Sequence, residues 1–350
     1  MATVLLMRFN HDQGAALADE STWHMSFKYG YRRSNLGDAI FSLLAGDAGE
    51  GAGVTALYAG VGFPSFHREV ADRSVGLLAG PPPAAGEPPR SVRNLSALVF
   101  SQYQHVHRRM VDDRLRFLWG FGLDGLNSLT LNRGGVSDTI AQEAIIAEAK
   151  KIAANSEHSD PQLRIFSNNG AVLGHSAREG LQAYSMSGEQ CALDLTSAVT
   201  VLGDGDQVAT HAFGRFAHAM NLQQRRDGWE LADGLLVLLQ VATETTEFQV
   251  RMGGYYQLGI VDGATSRPGA RLRRHDGHRL KLASEVARAV SWKQLERAAG
   301  VELVGGLLLG DEDFDDCERR MFAGARDAAA LRHRLHGFKP SWSPTATCTE

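Results

Sequence analysis

The stretch from Leu181 to Asp262 decides the fold, because strand and helix signals follow one another in it without a gap. It opens with Leu181-Gln-Ala-Tyr-Ser-Met, in which apolar and polar side chains alternate. After a turn comes the β-branched run Ala198-Val-Thr-Val-Leu, which ends at Gly203-Asp-Gly. We therefore predict two strands that form a hairpin and stop at glycines.

Two helices and a strand are predicted in the rest of this stretch. Asp206 occupies an N-cap position, and apolar residues recur at helical spacing over Val208–Ala219. A second helix is predicted over Trp229–Thr243, where leucines share one broad face. The pair Gly253-Gly254 then introduces a last predicted strand, Tyr255–Val261.

The N-terminal segment also has a strand pattern. Thr3-Val-Leu-Leu-Met-Arg precedes a turn that begins at Asn10, and Gly14-Ala-Ala-Leu-Ala-Asp follows that turn. This order predicts a β-hairpin. Alternating aromatic residues predict a third strand over Trp23–Arg33.

The middle and the end of the chain suggest how it is organised. Val54–Ala59 predicts a strand that leads into a helix near Pro64, and Asn94–Arg109 predicts the next helix. We interpret residues 111–160, approximately, as an insertion in a core that spans 1–263. Residues 264–350 are interpreted as an α-rich extension with a polar connector, Thr265–Gly277, and a mobile tail.

Composition excludes several classes of protein. The chain has 350 residues, 43% of them hydrophobic, and a formal net charge of −4, so it offers no long-range attraction for nucleic acid. No segment approaches the roughly 18 apolar residues of a membrane span, and no signal peptide is recognised. Cys191, Cys317 and Cys348 are few and far apart, which favours a cytoplasmic protein without a metal site.

The order of these motifs resembles that of proteasome β-type subunits, which belong to the N-terminal-nucleophile (Ntn) hydrolases. In that family a hairpin ends in a glycine-flanked turn, two helices cover the sheet, and Gly-Gly precedes a returning strand. The resemblance covers most of Ala2–Asp262. It implies an α+β, four-layer αββα sandwich with helices outside two antiparallel sheets.

The resemblance also implies a set of catalytic residues. Thr3 matches the nucleophile, and Asp19 matches the aspartate that orients a cationic side chain. Lys28 matches the lysine, with Arg32 or Arg33 as alternatives for that position. Asp204 stands in the glycine turn, where the family has a serine. No cofactor or metal is implied.

Two functions follow from this resemblance, and a third remains open. The first is a threonine-type hydrolase of peptide or amide bonds, which requires that Met1 and Ala2 be removed to free the α-amino group of Thr3. The second is a catalytically inactive proteasome-type subunit that serves as a ring or scaffold component. A binding protein of another layered α/β type is the third. For the first two we expect self-association into a homo-oligomer, with neither nucleic acid nor membrane as a partner.

Overall fold

The structure is a computed structural model of the chain. The residues it describes are 3–19, 21–26, 30–35, 38–45, 53–79, 91–133, 136–139, 142–153, 168–187, 191–193, 199–203, 205–218, 227–248, 256–266, 270–310 and 312–336.

Two five-stranded antiparallel sheets form the centre of the molecule. Sheet 1 contains, in spatial order, β12 (Val199–Gly203), β1 (Thr3–Arg8), β2 (Gln13–Asp19), β13 (Tyr256–Asp262) and β14 (Leu272–His275). Sheet 2 contains β11 (Cys191–Leu193), β10 (Gly180–Met186), β9 (Asn169–Ser176), β6 (Val54–Val61) and β5 (Ile40–Leu44). Two short ribbons pair β3 (Ser21–Ser26) with β4 (Gly30–Asn35) and β7 (Thr130–Arg133) with β8 (Val136–Thr139).

Helices in the described residues lie in two groups. The first group is α1 (Pro64–Ala79), α2 (Val92–Trp119), α3 (Leu123–Ser128) and α4 (Glu143–Ala153). The second group is α5 (Asp206–His218), α6 (Leu231–Phe248), α7 (Gly277–Ser291), α8 (Arg297–Leu308), α9 (Phe314–Ala323) and α10 (Ala328–His336).

The two sheets pack face to face, because successive side chains of a strand point to opposite sides. Val4 and Leu6 of β1 face sheet 2 and pack with Leu57 and Leu173. Leu5 and Met7, which alternate with them along β1, point the other way, towards the second group of helices. β1, β2, β12 and β13 therefore each supply side chains to two hydrophobic layers, one on either face of sheet 1.

Helices cover the outer face of each sheet. α5 to α10 contribute to the core on the outer face of sheet 1, in which α6 is almost fully buried. On sheet 2, α1 and α2 cover the outer face with side chains such as Phe66, Leu95 and Tyr103. The order helix, sheet, sheet, helix is the αββα sandwich, so the predicted fold class is confirmed.

The predicted hairpin between Leu181–Met186 and Ala198–Leu202 is wrong. Both segments are strands, but β10 pairs with β9 and β11 in sheet 2, whereas β12 pairs with β1 in sheet 1. Alternating apolar residues predict a strand but not the sheet that the strand joins, because that sheet is determined by pairing with strands far away in the sequence.

Two element boundaries also differ from the prediction. α2 runs unbroken from Val92 to Trp119, about ten residues past the predicted end at Arg109, because Val111 and Leu115 continue its buried stripe. It ends at Gly120, which adopts φ 78° and caps the helix. The segment read as one strand, Trp23–Arg33, lies instead across the two strands β3 and β4.

The C-terminal third takes part in the same layers as the rest of the molecule. Leu272–His275, within the predicted polar connector, forms β14 and pairs with β13. α7 and α8 bury Leu282 and Val304 in the core that also holds α6. The division at residue 263 remains a prediction, and the predicted mobile tail lies outside the described residues.

We predict opposite stability changes when two helical glycines are replaced by alanine. In Gly234→Ala on α6, the new Cβ would lie 2.5 Å from ring atoms of buried Phe9, so unfolding free energy should fall by about 1–3 kcal/mol. The matched control is Gly214→Ala on α5, where the new Cβ would meet no atom of another described residue within 4 Å, apart from the backbone of its own helix and its chain neighbours. That change should raise the unfolding free energy by up to about 1 kcal/mol, since alanine favours helix. Urea unfolding measures both, and equal stability of the two variants would contradict the packing argument.

Candidate active site

Thr3 is the first residue of β1 and lies in the interior of sheet 1. Its Cα partner on β12 is Gly203, and β2 lies on its other side. Only 1% of Thr3 is exposed, and its Oγ1 atom has no hydrogen-bond partner among the described residues. An unpaired buried hydroxyl costs about 1–3 kcal/mol and calls for an explanation. A hydroxyl whose partner is a substrate or a catalytic base would provide one.

The start of α5 forms a wall beside Thr3. A Cβ placed on Gly205 would lie 3.0 Å from Thr3 Cγ2 and 3.2 Å from Thr3 Oγ1. The same Cβ would lie 3.0 Å from Cγ2 of Thr245 on α6. Glycine at this position therefore lets the N-terminus of α5 approach the Thr3 hydroxyl, and the partial positive charge of that N-terminus favours an oxyanion.

Asp19 lies next to Thr3 in sheet 1, at the end of β2. The register pairs Val4 with Ala18, which places Asp19 one residue beyond, beside Thr3. Asp19 is 1% exposed and pairs across the ladder with Tyr256 on β13. A carboxylate this deeply buried needs a cation or hydrogen-bond donors to remain ionised.

Tyr256 is a buried neighbour of Asp19 that the sequence analysis did not identify. Its hydroxyl lies 2.5 Å from Thr246 Oγ1 and donates to the carbonyl oxygen of Ala242 at 3.3 Å. Burial raises the pKa of Tyr256 to about 12, and the charge of Asp19 adds to that increase. Tyr256 therefore stays a neutral hydroxyl that is held in place by α6.

A sequence signal for this part of the site did exist. Thr243-Glu-Thr-Thr occupies the end of α6, which is otherwise rich in leucine and valine. Threonine is a weak helix former, so three of them in one buried turn are unusual. Thr243 and Thr245 donate their hydroxyls to main-chain carbonyls one turn earlier, which removes their cost of burial.

The other two predicted site residues lie outside the described part of the chain. Lys28 falls between β3 and β4, and Asp204 falls between Gly203 and Gly205. Arg32 and Arg33 belong to β4, but their side chains are not described. The structure thus brings Thr3 and Asp19 together and leaves the identity of the cation a prediction.

Gln257 joins the two sheets at the same end of the sandwich. Its Oε1 accepts hydrogen bonds from the main-chain nitrogens of Ala39 and Ile40, at 2.9 and 3.2 Å. Its Nε2 donates to Asp38, which also pairs with Arg68 of α1 and Arg274 of β14. These hydrogen bonds tie β13 to sheet 2 close to Asp19. β13, which carries Tyr256, is therefore held by α6 on one face and by sheet 2 on the other.

Neither a metal-binding group nor a membrane span is found in the described residues. They contain no group of three or more His, Cys, Asp or Glu side chains placed to hold a metal ion. Within the same ranges, no helix is both long enough and apolar enough to cross a bilayer.

Comparison of the fold with solved structures gives clear neighbours. Anbu (ancestral beta-subunit) from Yersinia bercovieri superposes with a TM-score of 0.51 and 9% identity, over 84% of this chain and 94% of that one. Anbu from Hyphomicrobium sp. strain MC1 gives 0.50 and 11%, over 84% and 96%. A structure titled "Helical Assembly of the Anbu Complex", from Pseudomonas aeruginosa, gives 0.51 and 13%, over 84% and 93%.

Sequence comparisons add no relatives to these neighbours. No protein-family model matches the chain, and no curated protein matches it. At identities of 9–13% the likeness to solved structures is one of fold. The chain therefore has the proteasome-β-like fold of the Anbu proteins, with Thr3 and Asp19 adjacent at one end of its sandwich.

Proposed function

We propose that this protein is a divergent proteasome-like Ntn hydrolase that cleaves peptide or amide bonds with Thr3. The observation that carries the proposal is the buried Thr3 hydroxyl, which lies beside Asp19 and the start of α5 and has no hydrogen-bond partner in the part of the chain that the structure describes. The Anbu-like fold supports it, because the position of Thr3 at the start of a central strand suits an N-terminal nucleophile.

The proposed reaction begins when cleavage of the Ala2–Thr3 bond frees the α-amino group of Thr3. An α-amine has a pKa near 8, so roughly a tenth of it is neutral at pH 7 and can accept the hydroxyl proton, far more than for a lysine with a pKa near 10.4. The Thr3 oxygen then attacks the substrate carbonyl carbon, and the tetrahedral intermediate collapses to an ester as the ammonium protonates the departing amine. Water hydrolyses the ester and regenerates Thr3, with the same amine acting as base.

Each remaining residue has a role in this scheme. Asp19 orients a cation, either Lys28 or an arginine of β4, whose positive charge keeps the pKa of the amine low. The N-terminus of α5 stabilises negative charge that develops near Thr3. We assign Asp204, which stands in the sequence where the family has a serine, the role of supporting the amine. We describe Tyr256 as a positioning residue, because it acts through Asp19.

The alternative is a catalytically inactive subunit that serves in a ring or scaffold. This reading is favoured if Thr3 stays in peptide linkage, since its nitrogen then cannot act as a base. Intact-mass analysis of the purified protein separates the two proposals. A chain that begins at Thr3 supports the hydrolase, and one that still carries Ala2 supports the inactive subunit.

Assembly, location and domain division complete the proposal. One structural neighbour is a helical assembly by its title, which supports self-association of this chain through its covering helices. The small number of cysteines favours a cytoplasmic location. We also propose that the chain divides into a core of residues 1–263, with an insertion near 111–160, and an extension of residues 264–350.

A further inference from the structure

The side chain of Thr3 meets a second threonine on the outer face of sheet 1. Thr3 shares that face with Leu5 and Met7, so its side chain points towards α5 and α6. A Cβ built on Gly205 would lie 3.0 Å from Thr3 Cγ2, 3.2 Å from Thr3 Oγ1 and 3.0 Å from Cγ2 of Thr245. The methyl groups of Thr3 and Thr245 therefore converge on the space that glycine leaves open at position 205.

Thr245 is held so that its methyl group keeps this direction. It is 0% exposed, and its hydroxyl donates to the carbonyl oxygen of Val241, one turn earlier on α6, at 2.7 Å. Because the hydroxyl and the methyl share one Cβ atom, the hydrogen bond that fixes the hydroxyl also fixes the methyl. Thr245 therefore presents a rigid apolar contact to the side of α6 that faces Thr3.

One torsion angle of Thr3 controls the proton transfer of the proposed reaction. In that scheme the base is the α-amine of Thr3 and the nucleophile is Oγ1 of the same residue. Their separation is set by χ1, the rotation about the Cα–Cβ bond. A gauche χ1 places Oγ1 beside the nitrogen, whereas a trans χ1 turns it away. A neighbour that fixes χ1 therefore determines whether the amine can take the hydroxyl proton.

We propose that Thr245 is a positioning residue whose methyl group holds χ1 of Thr3. The methyl fills the space beside Gly205 into which the Thr3 methyl would otherwise turn, so the Thr3 hydroxyl keeps one orientation. An apolar neighbour holds the side chain without occupying its hydroxyl, in agreement with the unpaired Thr3 Oγ1 among the described residues. This inference rests on the proposed function, since it adds a residue to the same site.

The first test measures the rate at which a β-lactone labels the full chain that begins at Thr3. Thr245→Ser removes the methyl and keeps the hydroxyl, so labelling should slow by about threefold, since χ1 has three staggered wells. An unchanged rate would overturn the inference. Thr245→Val keeps a methyl and loses the hydroxyl, and it should restore the wild-type rate.

Thr243→Ser is the matched control, because it removes a methyl from another buried threonine of α6. Two residues correspond to a rotation of about 200° around the helix axis, so this methyl leaves α6 on the side away from Thr245. Urea unfolding should show a similar loss of stability for Thr243→Ser and Thr245→Ser. Only Thr245→Ser should slow labelling, and slowing by both would overturn the inference.

A double-mutant cycle tests whether the methyl of Thr3 is the partner of Thr245. Thr3→Ser has no methyl for Thr245 to contact, so adding Thr245→Ser to it should not slow labelling further. In the wild-type background the same change should slow labelling. Equal slowing in both backgrounds would assign the effect to a general disturbance of α6 and would overturn the inference.

NMR measures the orientation of Thr3 directly and requires no reaction. Three-bond couplings from Thr3 Cγ2 to its own nitrogen and carbonyl carbon report χ1. They should show one rotamer in wild type and in Thr245→Val, and an average of rotamers in Thr245→Ser. Averaged couplings in wild type would overturn the inference whether or not the chain is labelled. A single rotamer in a chain that begins at Thr3 and is not labelled would reject the hydrolase and support the contact.

Discussion

Thr3→Ala is expected to abolish covalent labelling of the mature chain by a β-lactone or an epoxyketone. The electrophile requires the Thr3 oxygen as nucleophile and the free amine of the same residue as base. Thr3→Ser, which keeps the hydroxyl, should retain measurable labelling. Proteins with position 3 as the first residue can be released from a cleavable N-terminal fusion, and intact mass reports the adduct.

Thr3→Ala should change the free energy of unfolding very little. This small change would separate a catalytic role of Thr3 from a structural one. Because no described residue hydrogen-bonds Thr3 Oγ1, removal of this atom also removes the cost of burying an unpaired hydroxyl. Only the buried methyl contact is lost, worth about 0.8 kcal/mol. A loss of labelling together with a large loss of stability would indicate a packing role for Thr3.

Asp19→Asn should slow labelling by roughly 100-fold, the lower end of what a positioned acid or base contributes. The amide keeps the size of the carboxyl group but lacks the charge that orients the cation. Ala18→Gly, at the preceding residue of β2, is a control for general disturbance of the strand. Labelling of a protein that still carries Ala2 would contradict the mechanism, because its Thr3 nitrogen is an amide.

Local signals explain which elements were predicted from the sequence. Apolar periodicity of 3.6 and a nearby glycine or capping residue define α5 and α6, and the predicted helices agree with them to within a few residues. The N-terminal hairpin of β1 and β2 is equally local, since its strands are joined by a four-residue turn. Neither case requires knowledge of distant partners.

Non-local pairing explains what was missed. β12 joins β1 across almost 200 residues of chain, and no local pattern specifies that choice over the nearby β10. Tyr256 reaches the site in a similar way, through pairing of β13 with β2 and a hydrogen bond to Thr246. Thr3 and Asp19 were identified as candidate site residues from the family resemblance. Their proximity follows from the register of the β1–β2 hairpin.

The stability of the protein should fall as the pH drops from 7 towards 4, in part because of His67. This side chain is 1% exposed, and its ring lies between the Tyr58 hydroxyl at 2.7 Å from Nδ1 and the Val61 carbonyl at 2.9 Å from Nε2. A carbonyl only accepts, so Nε2 carries the proton and Nδ1 accepts from Tyr58. Protonation of the ring would turn Nδ1 into a donor, so the Tyr58 hydroxyl would have to accept instead of donate, and a positive charge would be buried.

The sign of the effect follows from the direction of the pKa shift. Burial lowers the pKa of His67 to about 4, and the Val61 carbonyl opposes part of that decrease. Between about 4 and 6.5 the unfolded chain therefore binds more protons than the folded one, which favours unfolding as pH falls. The difference between 6.5 and about 4 corresponds to roughly 3 kcal/mol at 1.4 kcal/mol per pH unit.

A buried carboxyl group contributes the opposite slope, so variants must be compared with wild type at each pH. Burial raises the pKa of Glu285 to about 7, and its contribution to stability is lost as pH rises from about 4.5 to 7. Subtracting the curve of one variant from that of wild type removes this common part. The remaining difference reports the replaced side chain alone.

His67→Gln is the variant that isolates the histidine, because its amide offers one donor and one acceptor but does not titrate. It should be less stable than wild type at pH 7, and the difference should shrink by roughly 3 kcal/mol as pH falls towards 4. His105→Gln on α2, an exposed histidine, should leave the slope unchanged. Urea unfolding at several pH values measures these curves. Parallel curves for wild type and His67→Gln would mean that the folded protein protonates His67 as readily as the unfolded chain does, which its burial between Tyr58 and Val61 argues against.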